Sequence, residues 1–395
     1  MKLVFILPVD ILSHLSGGVQ RITLNLRNYL LQFGFEIDVL VLQKESEFSV
    51  NETFIKRIEP SATSDGEIMD FIKNGHYHKV INQLGFSYNV TIERIHLELG
   101  IPIITVNHQC IRCLFDQYSN NLRVNYSESS SKLKRIIARL MHFGVVDGLI
   151  GFIGRKKLKR EYQRVFNYSN RVVVYFDDFK NELLDLFGKS IENDSKILVI
   201  PNILGDEFSQ MENVNFSNKE KLIIYVGRIE DQQKRVDKLF EFWEAFSNIN
   251  KEYRLEVLGN GPKFDFYKAL IRSKKLERID LVGNVTPKAY YQKATFLVLV
   301  SDYEGHALVL TEAQKNGCIP ISFRCYSAID KVIQNGLNGI IVEEFSVSKM
   351  VRVFEDLTND QTKITNLQNT VQSVGDFSYP KDMEIVTKWQ NLINE

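Results

Sequence analysis

Short apolar runs alternate along the chain with longer segments whose apolar side chains recur every three or four positions. Leu3–Leu7, Ile37–Leu42, Lys79–Asn82, Ile103–Val106 and Val172–Tyr175 are short and largely apolar, which predicts strands buried on both faces. Val19–Phe33, between the first two, has helical spacing. The second half repeats the style. Leu222–Val226, Leu255–Leu258, Ile279–Val282, Phe296–Val300, Ile319–Ser322 and Gly339–Val342 read as strands, and Asp237–Asn248, Phe264–Lys274, Leu310–Asn316 and Ser346–Leu357 as helices. Continuous apolar strands interleaved with helices predict parallel sheets covered on both faces. Two such series predict an α/β protein of two doubly wound, Rossmann-like domains. The series change between Ile200-Pro201-Asn202 and Asn218, where a proline and an Asn-rich stretch interrupt the pattern. The expected division is 1–203 and 204–377, with a last helix, 378–395, carrying Trp389 back to the first domain.

Composition narrows the class. The chain has 395 residues, 44% hydrophobic and 25% charged, which excludes disordered, collagen-like and disulfide-scaffold proteins. Lys+Arg and Asp+Glu both total 49, and a general nucleic-acid binder would show a basic excess. Cys110 and Cys113 form a C-x-x-C pair, but neither a redox setting nor a second pair with zinc spacing accompanies it. All four cysteines are therefore expected as reduced thiols, in keeping with a reducing cytoplasm. The apolar start at Met1–Pro8 is too short for a signal segment and reads as the first strand. The stretch at Met141–Gly154 contains Asp147 and falls short of the roughly 20 residues of a membrane span.

In doubly wound sheets ligands bind beyond the carboxyl ends of the strands, so residues just after strands carry the information. Three such segments stand out. After Val300 come Ser301-Asp302-Tyr303-Glu304-Gly305-His306-Ala307-Leu308 and a helix with Glu312. A helix start there offers free N–H groups to an anion, and Glu304 and Glu312 are spaced to grip separate parts of one extended ligand. Two solvated glutamates on a capped helix would show the same spacing. After Val226 come Gly227, Arg228 and Lys234, and two cations in that position can neutralise a diphosphate. A basic turn paired with Glu230 and Asp231 is the plainer alternative. After the first strand, Gly17-Gly18 would let backbone approach a ligand closely, though the run is not G-x-G-x-x-G and reads equally as a flexible helix entry.

Taken in order, these segments resemble the retaining glycosyltransferases of family four, which have the GT-B fold. Asp302-Tyr303-Glu304-Gly305 through Glu312-Ala313 and Gly317-Cys318-Ile319-Pro320 resembles that family's Glu-x7-Glu region, and Val226-Gly227-Arg228 with Lys234 its phosphate-binding pair. Ile200-Pro201-Asn202, Gly34-Phe35-Glu36-Ile37, Leu258-Gly259-Asn260-Gly261-Pro262 and Val282-Gly283-Asn284-Val285 fall in family order. His306-Ala307 departs from the family's usual Phe-Pro or Phe-Gly, and Cys318-Ile319-Pro320 carries one residue more than its Gly-Val-Pro.

The resemblance implies two domains facing across a cleft. The second would bind the nucleotide-sugar and the first the acceptor. Arg228 and Lys234 would bind the donor diphosphate and stabilise the leaving group. Glu304 would contact the donor sugar, and Glu312 the ribose hydroxyls. Backbone N–H groups across Gly305, His306, Ala307 and Leu308 would add to phosphate and sugar binding, with His306 able to touch the sugar itself. Asn284 and Val285 would lie near the nucleobase, and Gly17 and Gly18 near the phosphates from the other domain. His108 would sit near the anomeric centre. The donor is expected to be a UDP-sugar, a co-substrate rather than a cofactor. The acceptor would be a hydroxyl of a lipid-linked or growing surface glycan, in capsule, exopolysaccharide or lipopolysaccharide synthesis. D-x-D does not occur in the sequence, so no metal is expected. A non-catalytic scaffold or a GT-B-like epimerase are the rivals, and no pyridoxal-lysine motif supports a phosphorylase.

One feature lies outside the three segments. Lys132, Lys134, Arg135, Arg139, Arg155, Lys156, Lys157, Lys159, Arg160 and Arg164 are accompanied only by Asp147 and Glu161. With Leu133, Ile136, Ile137 and Leu140, this stretch fits either peripheral docking on an anionic membrane or a solvated helix whose apolar side packs inward.

Overall fold

The structure, a computed structural model, describes residues 1–8, 18–43, 52–59, 64–112, 131–142, 147–205, 208, 214–378 and 380–395. Gly17, Cys113 and residues 206–207 and 209–213 of the linker lie outside the described residues. The chain forms two compact units, Met1–Ile203 with Met383–Glu395, and Leu204–Asp382.

The first unit holds β1 (Lys2–Leu7), α1 (Gly18–Gln32), β2 (Glu36–Val41), β3 (Ile55–Arg57), α2 (Ser64–Asn74), β4 (Lys79–Asn82), α3 (Asn89–Arg94), β5 (Ile103–Val106), α4 (Lys132–His142), α5 (Asp147–Tyr168), β6 (Arg171–Val174), α6 (Asp177–Phe187), α7 (Ile191–Lys196) and β7 (Ile197–Val199). Its parallel sheet runs β3-β2-β1-β4-β5-β6-β7. Leu3 to Leu7 have no exposed surface at the sheet's centre, which is why that run carries no polar alternation. The two strands at the sheet's edges, β3 and β7, are three residues long and were not expected from the sequence. An edge strand packs on one neighbour only, so it needs neither length nor a continuous apolar run.

The second unit holds β8 (Glu220–Val226), α8 (Val236–Ile249), β9 (Arg254–Leu258), α9 (Phe264–Lys274), β10 (Ile279–Gly283), α10 (Lys288–Lys293), β11 (Ala294–Leu299), α11 (Leu308–Lys315), β12 (Ile319–Phe323), β13 (Ile340–Val342), α12 (Val347–Thr358) and α13 (Gln361–Ser378). Its parallel sheet runs β10-β9-β8-β11-β12-β13. Helix α8 buries Phe242, Trp243 and Phe246 against Phe296 of β11 and Phe354 of α12. Trp243 satisfies its indole N–H on the Glu277 carbonyl at 3.1 Å, as a buried indole must.

The last helix, α14 (Asp382–Asn394), starts in the second unit and places Trp389 among first-unit side chains. Asp382 is buried and accepts from the N–H groups of Leu204 at 3.0 Å and Gly205 at 2.9 Å. Its carboxylate thus ties together the two points where the chain leaves and re-enters the first unit. Cys318 and Cys325 are free and buried, but Cys110 is disulfide-bonded, which corrects the expectation of four reduced thiols.

Candidate active site

In the second unit, three strands end in glycines that lie against one another. Gly227 N–H donates to the Leu258 carbonyl at 3.0 Å, and Gly259 N–H to the Gly283 carbonyl at 2.7 Å. A Cβ on Gly259, whose φ is +133°, would stand 2.0 Å from the Gly227 oxygen. One on Gly261 would meet the Ile229 carbonyl oxygen at 2.4 Å. Glycine is required there because the loops after β8 and β9 touch backbone to backbone.

That contact fixes the loop carrying the cations. Arg228 Nη2 lies 3.1 Å from Glu230 Oε1, and the same oxygen accepts from the Lys234 N–H at 3.2 Å. Lys234 Nζ reaches Glu304 Oε1 at 2.5 Å. The structure therefore brings Arg228, Lys234 and Glu304 together, with Glu230 beneath them. Arg228 is the exposed member, while Glu304 and Glu230 are buried.

The two loops are laced by contacts that the sequence alone does not reveal. Arg235, held at φ 49°, pairs with Asp302 at 2.7 Å and Asp237 at 3.0 Å. Asp302 N–H donates to the Gln233 carbonyl at 2.8 Å, and the Gln233 amide to the Tyr303 carbonyl at 3.1 Å. Burial works against the Arg235 charge, but its bonds to Asp237 and Asp302 outweigh that and raise its pKa. Burial raises the Asp302 pKa, with Arg235 opposing. Lys234 is thus held against Glu304 from both sides.

After Glu304 the chain turns sharply. Ala307 has φ −72° and ψ 78°, and Leu308 N–H donates to the His306 carbonyl at 2.8 Å, an inverse γ-turn. That N–H is engaged inside the turn. His306 is buried, and burial alone lowers its pKa to about 3, so the ring is neutral. Gly305, Ala307 and Leu308 are buried beside it. Glu312, on α11, has no exposed surface, and its Oε2 accepts from the Tyr291 hydroxyl at 3.0 Å. Any ligand reaching Glu312 must part the groups around it. Asn284 and Val285 follow β10 on the exposed surface.

Gly18 and His108 belong to the first unit. Gly18 opens α1, and a Cβ there would meet nothing within 4 Å, so no close backbone approach inside the unit demands glycine. His108 follows β5, and its Nδ1 contacts the Tyr175 hydroxyl. Tyr175, Tyr291, Arg235 and Asp302 were not singled out as site residues. Tyr175 and Asp302 also lie just past strand ends, the one signal that could have found them.

Two parallel, helix-covered sheets of this kind define the GT-B fold. The apo lipopolysaccharide outer core galactosyltransferase WaaB superposes with a TM-score of 0.65 at 17% identity, covering 100% of this chain and 99% of that one. The Anabaena protein Alr3699/HepE in complex with UDP and glucose gives 0.71 at 12% identity, with 100% of both chains covered.

Residues 206–374, within the second unit, match the family described as Glycosyl transferases group 1. Over 391 residues, 96% of each chain, the protein is 26% identical to a Campylobacter jejuni enzyme. That enzyme is named GalNAc-alpha-(1->4)-GalNAc-alpha-(1->3)-diNAcBac-PP-undecaprenol alpha-1,4-N-acetyl-D-galactosaminyltransferase.

Proposed function

We propose that this chain is a retaining glycosyltransferase that moves a sugar from a UDP-sugar to a hydroxyl of a lipid-linked or growing bacterial surface glycan. The observation that carries it is the Lys234–Glu304 contact at 2.5 Å, with Arg228 and Glu230 alongside, beyond the ends of β8 and β11. Cleaving the bond to a nucleoside diphosphate loads charge onto the β-phosphate. Fixed cations aimed there stabilise the transition state without rearranging as it forms. Arg228 and Lys234 take that role, and Glu304 accepts from a donor-sugar hydroxyl. Glu312 binds the ribose once Tyr291 yields to it. The undecaprenol-linked acceptor of the Campylobacter relative and the UDP in the Anabaena structure support the choice of acceptor and nucleotide. The same reading places the enzyme at the inner face of the cytoplasmic membrane, docked through residues 132–164 and working without a metal.

The test is transfer from a panel of UDP-sugars to undecaprenyl-diphosphate-linked saccharides, with the product's anomeric proton read by NMR. Retention of the α configuration, with rates unchanged by EDTA, is the expected result. Lys234→Ala should lower turnover at least a hundredfold, about 2.7 kcal/mol of transition-state stabilisation. An inverted product or a fully active folded Lys234→Ala overturns the assignment.

A further inference from the structure

Helix α8 starts against two local rules. Its N-cap, Arg235, sits at φ 49° and ψ 47°, a left-handed conformation that glycine takes freely and arginine only at a steric cost. Its side chain makes no capping bond, where Ser, Thr, Asp or Asn would ordinarily make one. The cap comes from elsewhere: the Asp231 carboxylate accepts from the Asp237 N–H at 3.2 Å. The Arg235 guanidinium goes instead to two carboxylates. Its Nε and Nη2 donate to the two oxygens of Asp237, each at 3.0 Å, and its Nη1 to Asp302 Oδ1 at 2.7 Å. Strained residues persist where the surrounding structure over-determines them, and they cluster at functional sites.

We propose that Arg235 is a positioning residue: through Asp302 it fixes Lys234 against Glu304, so that the ammonium is in place before a donor arrives. Arg235 directly follows Lys234, and Asp302 lies two residues before Glu304. On the other flank of Lys234, the Gln233 carbonyl accepts from the Asp302 N–H at 2.8 Å, and the Gln233 amide donates to the Tyr303 carbonyl at 3.1 Å. Gln233, Lys234 and Arg235 each bond across to segment 302–304, and all of these residues belong to the second unit. A lysine side chain is otherwise flexible, and a cation that must be ordered as charge develops stabilises a transition state less than one already fixed. Only a planar fork can grip Asp237 with two bonds and Asp302 with a third. The Gln233 bonds do not depend on that fork, so removing it should loosen Lys234 without releasing the loop.

The inference rests on the proposed donor role of Lys234, and the test separates the two. Crystal structures of the full chain as Arg235→Gly and as Asp302→Asn read the positioning directly. Glycine fits φ 49° without strain, so Arg235→Gly should fold with its melting temperature little changed. In both variants the Lys234 Nζ to Glu304 separation should open beyond about 4 Å, the limit of an ion pair. A retained 2.5 Å contact overturns the proposal whatever the activity. In transfer to the lipid-linked saccharides, kcat should fall about tenfold while the donor KM stays within about threefold. Arg235→Gly combined with Asp302→Asn should lose no more than either change alone, because both break one link. Losses that multiply overturn it. An opened contact with kcat unchanged overturns it where Lys234→Ala is inactive. Where folded Lys234→Ala is fully active, the hold on Lys234 stands and the donor role of Lys234 fails.

Discussion

In the proposed reading Lys234 must serve two anions, the Glu304 carboxylate and the donor diphosphate. Its ammonium meets Glu304 at 2.5 Å, with the carboxylate nearly buried. A donor diphosphate has to compete with that carboxylate for the same charge. Glu304→Gln keeps the shape and removes the competitor. It should raise affinity for bare UDP several-fold by calorimetry, while transfer falls at least a hundredfold because the sugar loses its acceptor. Unchanged UDP affinity would mean that Lys234 does not touch the diphosphate. The family resemblance singled out Arg228, Lys234, Glu304 and Glu312, where spacing alone read as well for solvated side chains. It could not show that Tyr291 bonds to Glu312, or that Arg235 locks onto Asp302, 67 positions away, because those pairings exist only once separate strands are side by side.

Elements were more legible than their partners. The central strands announce themselves because burial on both faces leaves few polar positions in them. The edge strands β3 and β7 are silent for the opposite reason, having one neighbour each. Glycines 259 and 261 looked like family punctuation in the sequence, and the structure supplies the cause, a backbone contact that admits no Cβ. The basic stretch was undecided between core packing and a lipid surface. On α4, Leu133, Ile136 and Leu140 are 66%, 44% and 43% exposed, and on α5 Phe152 and Ile153 are 61% and 58% exposed. An apolar stripe packed inward would be covered, so exposure favours the lipid surface. Arg164 and Lys157 contribute less than their charges promise, since they pair with Glu93 at 3.2 Å and Glu161 at 3.8 Å. The others add about 1 kcal/mol each near anionic lipid. Cosedimentation should show binding to phosphatidylglycerol vesicles and much less to phosphatidylcholine. The triple change Leu133→Ser, Ile136→Ser, Leu140→Ser should abolish it without loss of folding. Equal binding to both lipids would exclude the electrostatic part.

At the scale of the whole molecule, each unit buries an imidazole and keeps it neutral: His108 at about 4 in the first unit, His306 at about 3 in the second. Both values are depressed, chiefly by burial, below the ordinary 6.5. Above pH 6.5 neither the folded nor the unfolded chain protonates these rings, so stability is unaffected. Below it the unfolded chain takes up protons that the folded chain refuses, and stability falls with pH until the folded groups titrate. Each imidazole removes up to about 1.4 kcal/mol per pH unit in that window. Because the two rings lie in different units, the losses should be separable by calorimetry between pH 7 and 4.5. His306→Gln removes the titrating group from the Leu204–Asp382 unit and should flatten the pH dependence of that unit's transition alone. The first unit's transition should keep its slope, set by His108. If both transitions flatten together, the two units unfold as one cooperative body. If neither flattens, the acid sensitivity arises from groups other than these two imidazoles.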